Sequence, residues 1–410
     1  MNVAAFIAKR IAFNRQRTFS RFILRLAVSA TIISVAAMIL TLAFTRGFQD
    51  AISRKVFDLW GDIRVQAVSG NDAPLAEELP AERNDTVLRV LHANLAIATV
   101  QAFATKNAVI RSSEGVEAVL LKGVEKSYDF NNLAGFLKAG RWPSFPDSGY
   151  SSEVVISTYT AAQLKVGVGK KVLIYFIQSG GNEPRVRPMT VCGLFKTGID
   201  VYDKAIAIGD LRLIQRLNGW SPNQIGGYEV FTRDYRDAPQ VYAQVDPLLP
   251  RMWTSRPTTS IYPNIFDWLN LQNITIAIAL VIMIVVATLN LVTCLIILVL
   301  DRTRMIGVLK AFGTPNPMIQ RIFLYHGALI TLFGLLLGNA FGLLICWAQN
   351  RFGFITLPED AYYISKAVVK LEWWHFLLVN AGTFLVCFLV LMIPTIIVRK
   401  VQPVRAIQFR

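Results

Sequence analysis

Four long apolar runs stand out along the chain, at roughly residues 23–44, 274–300, 322–348 and 376–398. A transmembrane helix needs about 20 mainly apolar residues, and each run reaches that length. A stretch of roughly 220 residues with ordinary mixed composition separates the first run from the second, which is long enough for a domain. The pattern predicts an α-helical membrane protein with four transmembrane helices, arranged 1 + 3, and a large inserted extracytoplasmic domain.

The first apolar run follows basic residues, so a cleaved signal peptide is an alternative to a membrane anchor. The apolar core of a signal peptide spans about 7–15 residues and ends at a small-residue cleavage site. Here the run is longer, and it continues into Thr45-Arg46-Gly47-Phe48, which does not resemble such a site. The sequence therefore favours an uncleaved anchor.

The net charge of +15 is a second topological signal rather than a nucleic-acid footprint. Most of the excess positive charge lies in three short segments beside the apolar runs, at 9–25, 302–321 and 399–410, whereas the inserted domain is nearly balanced. Lys and Arg concentrate on the cytoplasmic side of membrane proteins. The charges predict that both termini and the turn after the second run are cytoplasmic, and that the inserted domain lies outside.

The N-terminal segment carries Val3, Ile7 and Ile11 on one helical face and basic residues over much of the rest. This pattern indicates an amphipathic helix on the inner membrane surface, with a merely basic, disordered N-terminus as the alternative. The predicted divisions are an amphipathic helix 1–22, TM1 23–46, a domain with stalk ends 47–272, TM2 273–300, a cytoplasmic segment 301–321, TM3 322–348, an outer loop 349–375, TM4 376–398 and a cytoplasmic tail 399–410.

The inserted domain combines helix and strand patterns, which predicts an α/β domain. Phe48, Ile52, Val56 and Leu59 recur at helical spacing, so the first helix is expected to continue beyond the bilayer as a stalk. Turn-forming residues at 179–184 predict a hairpin between two strands. The further expectations are strands at 153–157, 172–177, 189–194 and 205–208, helices at 161–164 and 211–217, a polar segment at 62–83 that becomes a loop, and a return linker at 257–263.

The third apolar run carries Gly334, Gly338 and Gly342 at four-residue spacing. Small residues at this spacing allow a neighbouring helix backbone to approach closely in a membrane. The alternative is that glycine is simply common in membrane helices. The register of three glycines favours a packing face.

Motifs for catalysis or metal binding are not found in the sequence. The three histidines are scattered without zinc-ligand spacing, and three of the four cysteines lie in the apolar runs. The sequence has no G-x-x-x-x-G-K-[ST] phosphate loop. Ser179-Gly180-Gly181-Asn182 resembles part of the ABC ATPase signature, but its position predicts a hairpin turn. The chain is therefore predicted to be no enzyme and to hold neither a cofactor nor a metal of its own.

The segment after the second apolar run contains a short amphipathic pattern. Met305, Val308, Leu309 and Phe312 fall at i, i+3, i+4 and i+7, while Arg304 lies off that stripe. This spacing predicts a cytoplasmic helix that ends at Gly313 and a Pro-containing turn. We expect so small a segment to have nothing of its own to bury the stripe against. The residues alone leave two readings open, a helix on the bilayer and a helix in a groove of another protein.

The segment 305–313 followed by 322–327 resembles the coupling region of FtsX-type (MacB-like, type VII) ABC transporter permeases. The closest resemblance is to the lipoprotein-releasing Lol permease subunits. The resemblance extends along most of the chain, through Arg46-Gly47-Phe48, Leu120-Leu-Lys-Gly-Val-Glu125, Gly140-Arg141, 357–365 and 403–407.

The resemblance implies a permease subunit of the bacterial inner membrane that pairs with a second permease subunit, as a homodimer or a heterodimer. A separate cytoplasmic ABC ATPase dimer would bind ATP and contact Arg304, Met305, Val308, Leu309, Phe312 and Gly313. The implied cargo is a lipoprotein, extracted for transfer to the outer membrane. It would enter a cavity lined by Ile33, Ala37, Leu40 and Phe44.

Some features depart from the family pattern. The family often has glycine near Ile156-Ser157 and proline near Val368, and this chain has neither. In one Lol subunit type an outer hairpin captures a periplasmic lipoprotein chaperone, and the hairpin 178–188 is short for that role. The alternatives are a related permease for a drug or peptide, and a membrane-anchored receptor or scaffold. The second alternative leaves the apolar stripe at 305–312 unexplained.

Overall fold

A computed structural model describes residues 18–68, 77–178 and 183–395. The chain forms two compact units. The helical unit comprises Met1–Asp50, Leu269–Thr356 and Lys366–Arg410, and the sheet unit comprises Ala51–Trp268 and Leu357–Ser365. Most of the expected N-terminal surface helix, the tip of the hairpin and the C-terminal tail lie outside the described residues.

The helices are numbered in chain order. They are α1 Thr18–Trp60, α2 Asp85–Ala93, α3 Thr158–Leu164, α4 Asp200–Ala205, α5 Leu211–Asn218, α6 Ala238–Val245, α7 Thr258–Ile261, α8 Pro263–Asp301, α9 Thr303–Ala311, α10 Asn316–Phe352, α11 Glu359–Tyr362 and α12 Trp373–Thr395. Single 3-10 turns occupy Ala134–Phe136, Tyr235–Asp237 and Asp246–Leu248.

The strands are numbered in the same way. They are β1 Ile63–Ala67, β2 Ala81–Glu82, β3 Ile97–Arg111, β4 Val116–Val124, β5 Leu137–Gly140, β6 Glu153–Ser157, β7 Lys171–Phe176, β8 Arg185–Phe195, β9 Ile206–Asp210, β10 Gln224–Ile225, β11 Gly227–Thr232 and β12 Trp253–Pro257.

Helices α1, α8, α10 and α12 are long and apolar enough to cross a membrane. Helices α1, α8 and α10 are each longer than the apolar run that they contain, because each continues into more polar residues. In the helical unit, Leu291, Leu295 and Leu298 of α8 pack with residues of α10 and α12. Asn339 of α10 and Asn380 of α12 exchange two side-chain hydrogen bonds of 2.7 and 3.1 Å, and we call them the amide pair. Amides in an apolar bundle satisfy each other in this way because lipid offers no hydrogen-bond partner.

The sheet unit is built on a ten-stranded sheet, counted over the described residues, in the order β12-β1-β11-β3-β4-β9-β6-β8-β5, with β7 pairing β3 and β8. Most neighbours are antiparallel, and β4–β9 and β6–β8 are parallel. The buried residues of this unit form two cores. This arrangement agrees with the predicted α/β domain.

The long strand β3 changes partner midway. It pairs with β11 up to Phe103 and with β7 from Ala108, so one edge is open between them. The carboxylates of Glu78 and Glu77 accept the backbone N–H groups of Thr105 and Asn107 there, at 2.7 and 2.8 Å. Buried backbone donors require such partners, so these two carboxylates replace the missing strand.

The structure corrects two expectations for this domain. Residues 63–67 form a sheet strand rather than part of a polar segment, and 257–263 is no linker, because it contains the end of β12, all of α7 and the first residue of α8. The predicted strands at 153–157, 172–177, 189–194 and 205–208 are found with shifts at their ends. The central strands β1, β3, β4 and β11 were not predicted.

Candidate functional site

Helix α9 is a separate element between two long helices. Arg302 leaves helical geometry with φ −106° and ψ 15°, which divides α9 from α8. At the other end Gly313 adopts φ +79°, a left-handed conformation that favours glycine and ends the helix. The N–H of Gly313 donates to the carbonyl of Lys310 at 3.0 Å. The predicted short helix is present, and its last residue is Ala311, two residues before the predicted end at Gly313.

The apolar residues of α9 are divided between two environments. Ile306, outside the predicted stripe, is fully buried beside Ile319 and Phe323 of α10, and Met305 and Leu309 pack partly against the same cluster. The expectation that this helix has nothing of its own to bury against is therefore wrong. It fails because the neighbouring ends of α8 and α10 supply an apolar surface within the same chain.

The remaining stripe residues face outward. Val308 is 40% exposed and Phe312 is 83% exposed. Arg304, Ala311 and Gly313 are also exposed, and the spacing 304, 308, 311 and 312 places these side chains on one helical face. We call Arg304, Val308, Ala311 and Phe312 the α9 surface. The exposed apolar side chains of this surface are compatible with both readings left open by the sequence, contact with the bilayer and contact with another protein.

The three glycines of α10 lie against α1 within the helical unit. A Cβ atom at Gly334 would approach the Thr31 Cγ2 to 2.5 Å, and one at Gly338 would approach the Val35 Cβ to 2.8 Å. At Gly342 the nearest atoms are 3.4 Å away, an ordinary contact. At Gly334 and Gly338, therefore, α10 can lie this close to α1 only because the residue has no side chain.

The four residues predicted to line a cavity occupy one side of α1. Ile33 is 64% exposed. Ala37, Leu40 and Phe44 are half-buried. Leu40 and Phe44 pack against a small cluster that includes Val369. The structure brings these two together and leaves Ile33 facing outward.

A buried charge network at the end of α1 was missed by the sequence reasoning. The Lys122 ammonium on β4 forms an ion pair of 2.7 Å with Glu229 on β11, and both side chains are fully buried. The same ammonium donates to the carbonyl of Leu59 at 2.5 Å and to the Tyr128 hydroxyl at 3.3 Å. The only sequence signal was a lysine inside an apolar strand pattern. The network ties the last turn of the first helix to the sheet.

Burial governs the ionisation of this region. It lowers the pKa of Lys122, which the attraction of Glu229 opposes. It raises the pKa of Glu78, against the effect of the nearby Arg64 guanidinium. The pKa of Tyr128 is well above its ordinary value, because of burial and the negative charge of Glu229. The ion pair and its hydrogen bonds hold these groups together, and we call Lys122, Glu229, Tyr128 and the carbonyl of Leu59 the anchor.

Aromatic rings join this anchor to the residues that precede α8. Trp60 at the end of α1 stacks on Tyr262, which follows α7, with ring centroids 6.0 Å apart. The Arg64 guanidinium lies over the Trp60 ring at 4.7 Å. The end of α1 and the beginning of α8 therefore meet in one packed cluster of the sheet unit.

The His, Cys, Asp and Glu side chains of the described residues were compared with the arrangement that a metal ion needs. No group of three or more His, Cys, Asp or Glu side chains is placed there to hold an ion. The four cysteines are all buried and unpaired with one another. Burial raises the pKa of Cys192 to about 11, which keeps it a thiol.

Comparison with known proteins gives two family matches. Residues 25–248 match the MacB-like periplasmic core domain, and residues 277–403 match the FtsX-like permease C-terminal region. The lipoprotein-releasing system transmembrane protein LolC of Xylella fastidiosa is 23% identical over 412 residues, covering 96% of each chain. LolE of Haemophilus influenzae is 23% identical over 422 residues, covering 99% of each chain. The crystal structure of the periplasmic region of MacB from Actinobacillus actinomycetemcomitans is 13% identical, covers 50% of this chain and 92% of that chain, and has a TM-score of 0.34.

Proposed function

The chain belongs to the family of proteins with a MacB-like periplasmic core domain, and from this membership we propose that it is the permease subunit of an ABC transporter for lipoproteins. The transporter would extract lipoproteins from the inner membrane for transfer to the outer membrane. The observation that carries this proposal is the similarity to lipoprotein-releasing permeases over 96% of both chains. The chain itself would be non-catalytic, with ATP bound by a partner subunit.

The proposed topology has four crossings and two cytoplasmic termini. Each of the four long helices has the length and composition for one crossing. The basic residues before α1 and beside α9 support a cytoplasmic position for the beginning of α1 and for α9, and the sheet unit would then be periplasmic. The chain would reside in the bacterial inner membrane beside a second permease subunit.

The α9 surface is the proposed contact for the ATPase. Phe312 and Val308 supply exposed apolar area, and Arg304 adds a charge. Such a surface fits an apolar groove on a partner, with the arginine at its rim. Met305 and Leu309 are assigned a different role, holding α9 on the helical unit, because they pack against its core. Movement of the ATPases would then move α9 as part of that unit.

The test is a pull-down of the full chain in mild detergent, with mass spectrometry and an ATPase assay. We expect Phe312→Glu to reduce the recovered ABC ATPase at least about tenfold, because burying a charge in place of an anchor ring removes a hot-spot contact. Leu95→Glu is the matched control, since Leu95 is 84% exposed in the sheet unit. It should recover the ATPase as the wild type does.

Two outcomes would count against the proposal. Recovery of no ATPase by the wild type, under conditions that preserve a known complex of this kind, would favour a receptor or scaffold. Equal recovery by Phe312→Glu would move the contact away from the α9 surface. A lipoprotein that co-purifies and is released on addition of ATP would support the cargo, and a drug or peptide in its place would favour the related exporters.

A further inference from the structure

The loop between α10 and α12 belongs in part to the sheet unit. Residues Leu357–Ser365 are part of that unit, although the chain on both sides of them is part of the helical unit. The N–H of Leu357 donates to the carbonyl of Ser365 at 3.0 Å, which closes the loop on itself. Inside it lies the single turn α11, followed by Tyr363 in a left-handed conformation with φ 60°. That conformation is costly for a bulky residue and persists only where contacts hold it.

Two lysines of the sheet unit hold the loop. The Lys196 ammonium forms an ion pair of 2.7 Å with Glu359. The Lys55 ammonium, on the part of α1 that belongs to the sheet unit, donates to the carbonyl of the left-handed Tyr363 at 2.6 Å. The Tyr363 ring also meets Trp268 edge to face, with centroids 6.1 Å apart. The loop is therefore bound at both ends of its helical turn.

The turn that receives the loop is built by a buried carboxylate. Asp203 accepts the N–H groups of Thr197 and Gly198 at 2.8 and 3.0 Å. Gly198 has φ +78°, and a Cβ atom there would lie 2.6 Å from the Glu359 Oε1 and 2.7 Å from the Lys55 Nζ. Only glycine gives both the backbone conformation and the space for the two charged groups to meet over this turn.

We propose that these contacts form a releasable clasp, in which Glu359 and Tyr363 fasten the 357–365 loop to the turn at Gly198 and to Lys55 of α1. Lys196 and Glu359 are 36% and 29% exposed, unlike the fully buried pair of Lys122 and Glu229. Water can therefore replace their ion pair at small cost, and the clasp can open and close. Its part in transport, as a fastening of the chain between α10 and α12 to the sheet unit, rests on the proposed function.

The clasp is tested by hydrogen–deuterium exchange of the full chain in detergent, read on peptides that cover 357–365. Exchange from a locally opened state rises in proportion to the population of that state. Loss of a partly exposed ion pair in Glu359→Gln should raise it about two- to fivefold. Lys55→Met removes a hydrogen bond and should raise it about fivefold. Glu114→Gln is the matched control, because Glu114 pairs with Lys165 at 3.5 Å on the exposed surface of the same unit.

The clasp is overturned if peptides covering 357–365 exchange at the wild-type rate in both Glu359→Gln and Lys55→Met. The transport role has a separate readout, the lipoprotein released per ATP hydrolysed in a reconstituted complex. We expect Glu359→Gln to lower this ratio at least twofold while Glu114→Gln leaves it unchanged, and an unchanged ratio in Glu359→Gln would overturn that role. If the wild type shows no ATP-driven release, the proposed function fails, while the exchange result still decides the clasp.

Discussion

Removing the charge of Lys122 should destabilise the sheet unit more than any surface substitution. Lys122 is fully buried and faces Glu229, which is fully buried as well. In Lys122→Met the side chain keeps its approximate volume, so the packing changes little. The carboxylate of Glu229, however, loses its ion-pair partner and keeps the hydroxyl of Tyr128, at 3.3 Å, and the attraction of the Arg64 guanidinium. The backbone carbonyl of Leu59 loses its side-chain donor at the same time.

The expected cost of this single substitution is about 3–5 kcal/mol of unfolding free energy, the usual penalty for leaving a buried charge unpaired. A second substitution, Glu229→Met, removes that charge. What remains lost in the double variant is the set of hydrogen bonds to Leu59 and Tyr128, each about 1 kcal/mol. The double variant should therefore be more stable than Lys122→Met by about 1–3 kcal/mol. If the costs of the two single substitutions simply added, the double variant would instead be less stable than either single variant.

The assay is thermal unfolding of the full chain in detergent, followed by tryptophan fluorescence. Trp60 is a local probe, with its ring 5.1 Å from the Lys122 ammonium. A domain of this size shifts its Tm by about 2–4 °C per kcal/mol, so Lys122→Met should lower the Tm by about 6–20 °C. Lys126→Met, at an exposed ion pair with Asp147, is the control and should change it by less than about 4 °C. A double variant as unstable as the sum of the single variants would refute the reasoning.

Three further predictions concern packing, ionisation and the amide pair. Gly338→Leu should lower the yield of folded protein and its Tm, because a Cβ atom at this position would already lie 2.8 Å from the Val35 Cβ. Gly382→Leu is the control and should lower neither, because no atom lies within 4 Å of a Cβ there. Equal losses in the two variants would contradict a packing role for Gly338. Burial raises the pKa of Asp62, so the wild type loses stability as pH rises from about 4 through that raised pKa. Asp62→Asn keeps an oxygen for both hydrogen bonds from Thr232. Its Tm relative to the wild type should therefore rise between pH 4 and pH 7, and a constant difference would show that burial does not control this carboxyl. Asn380→Leu leaves the other amide of the pair without its partner and should cost about 0.6–1.7 kcal/mol, seen as a lower Tm in detergent.

The long helices and the glycines of α10 show how far local pattern reaches. The length of an apolar run and the spacing of small residues are properties of consecutive residues, so the four long helices and the face at Gly334 and Gly338 could be read directly. The strands with turn chemistry at their ends, such as 153–157, were also readable. The central strands were not, because β3 and β4 are buried and carry polar residues whose partners are distant in sequence.

The α9 helix shows where local pattern stops. Its helical spacing identified the element and its end at Gly313. The same spacing could not separate the residues that face α10 from those that face outward, because that division depends on where two long helices end in space. Ile306 lies outside the stripe and is buried, whereas Phe312 lies in the stripe and is exposed. Periodicity alone groups Phe312 with Met305 and Leu309, which pack against the core.

By itself, the sequence determined the class of this protein: four long apolar helices and one large inserted α/β domain. These properties depend on composition and period over neighbouring residues. The tertiary structure alone decided which groups meet. Lys122 lies 63 residues from Leu59 and 107 from Glu229, and Glu359 lies 163 from Lys196. Buried charges need a specific partner at hydrogen-bond distance, and only the folded chain brings such distant residues together.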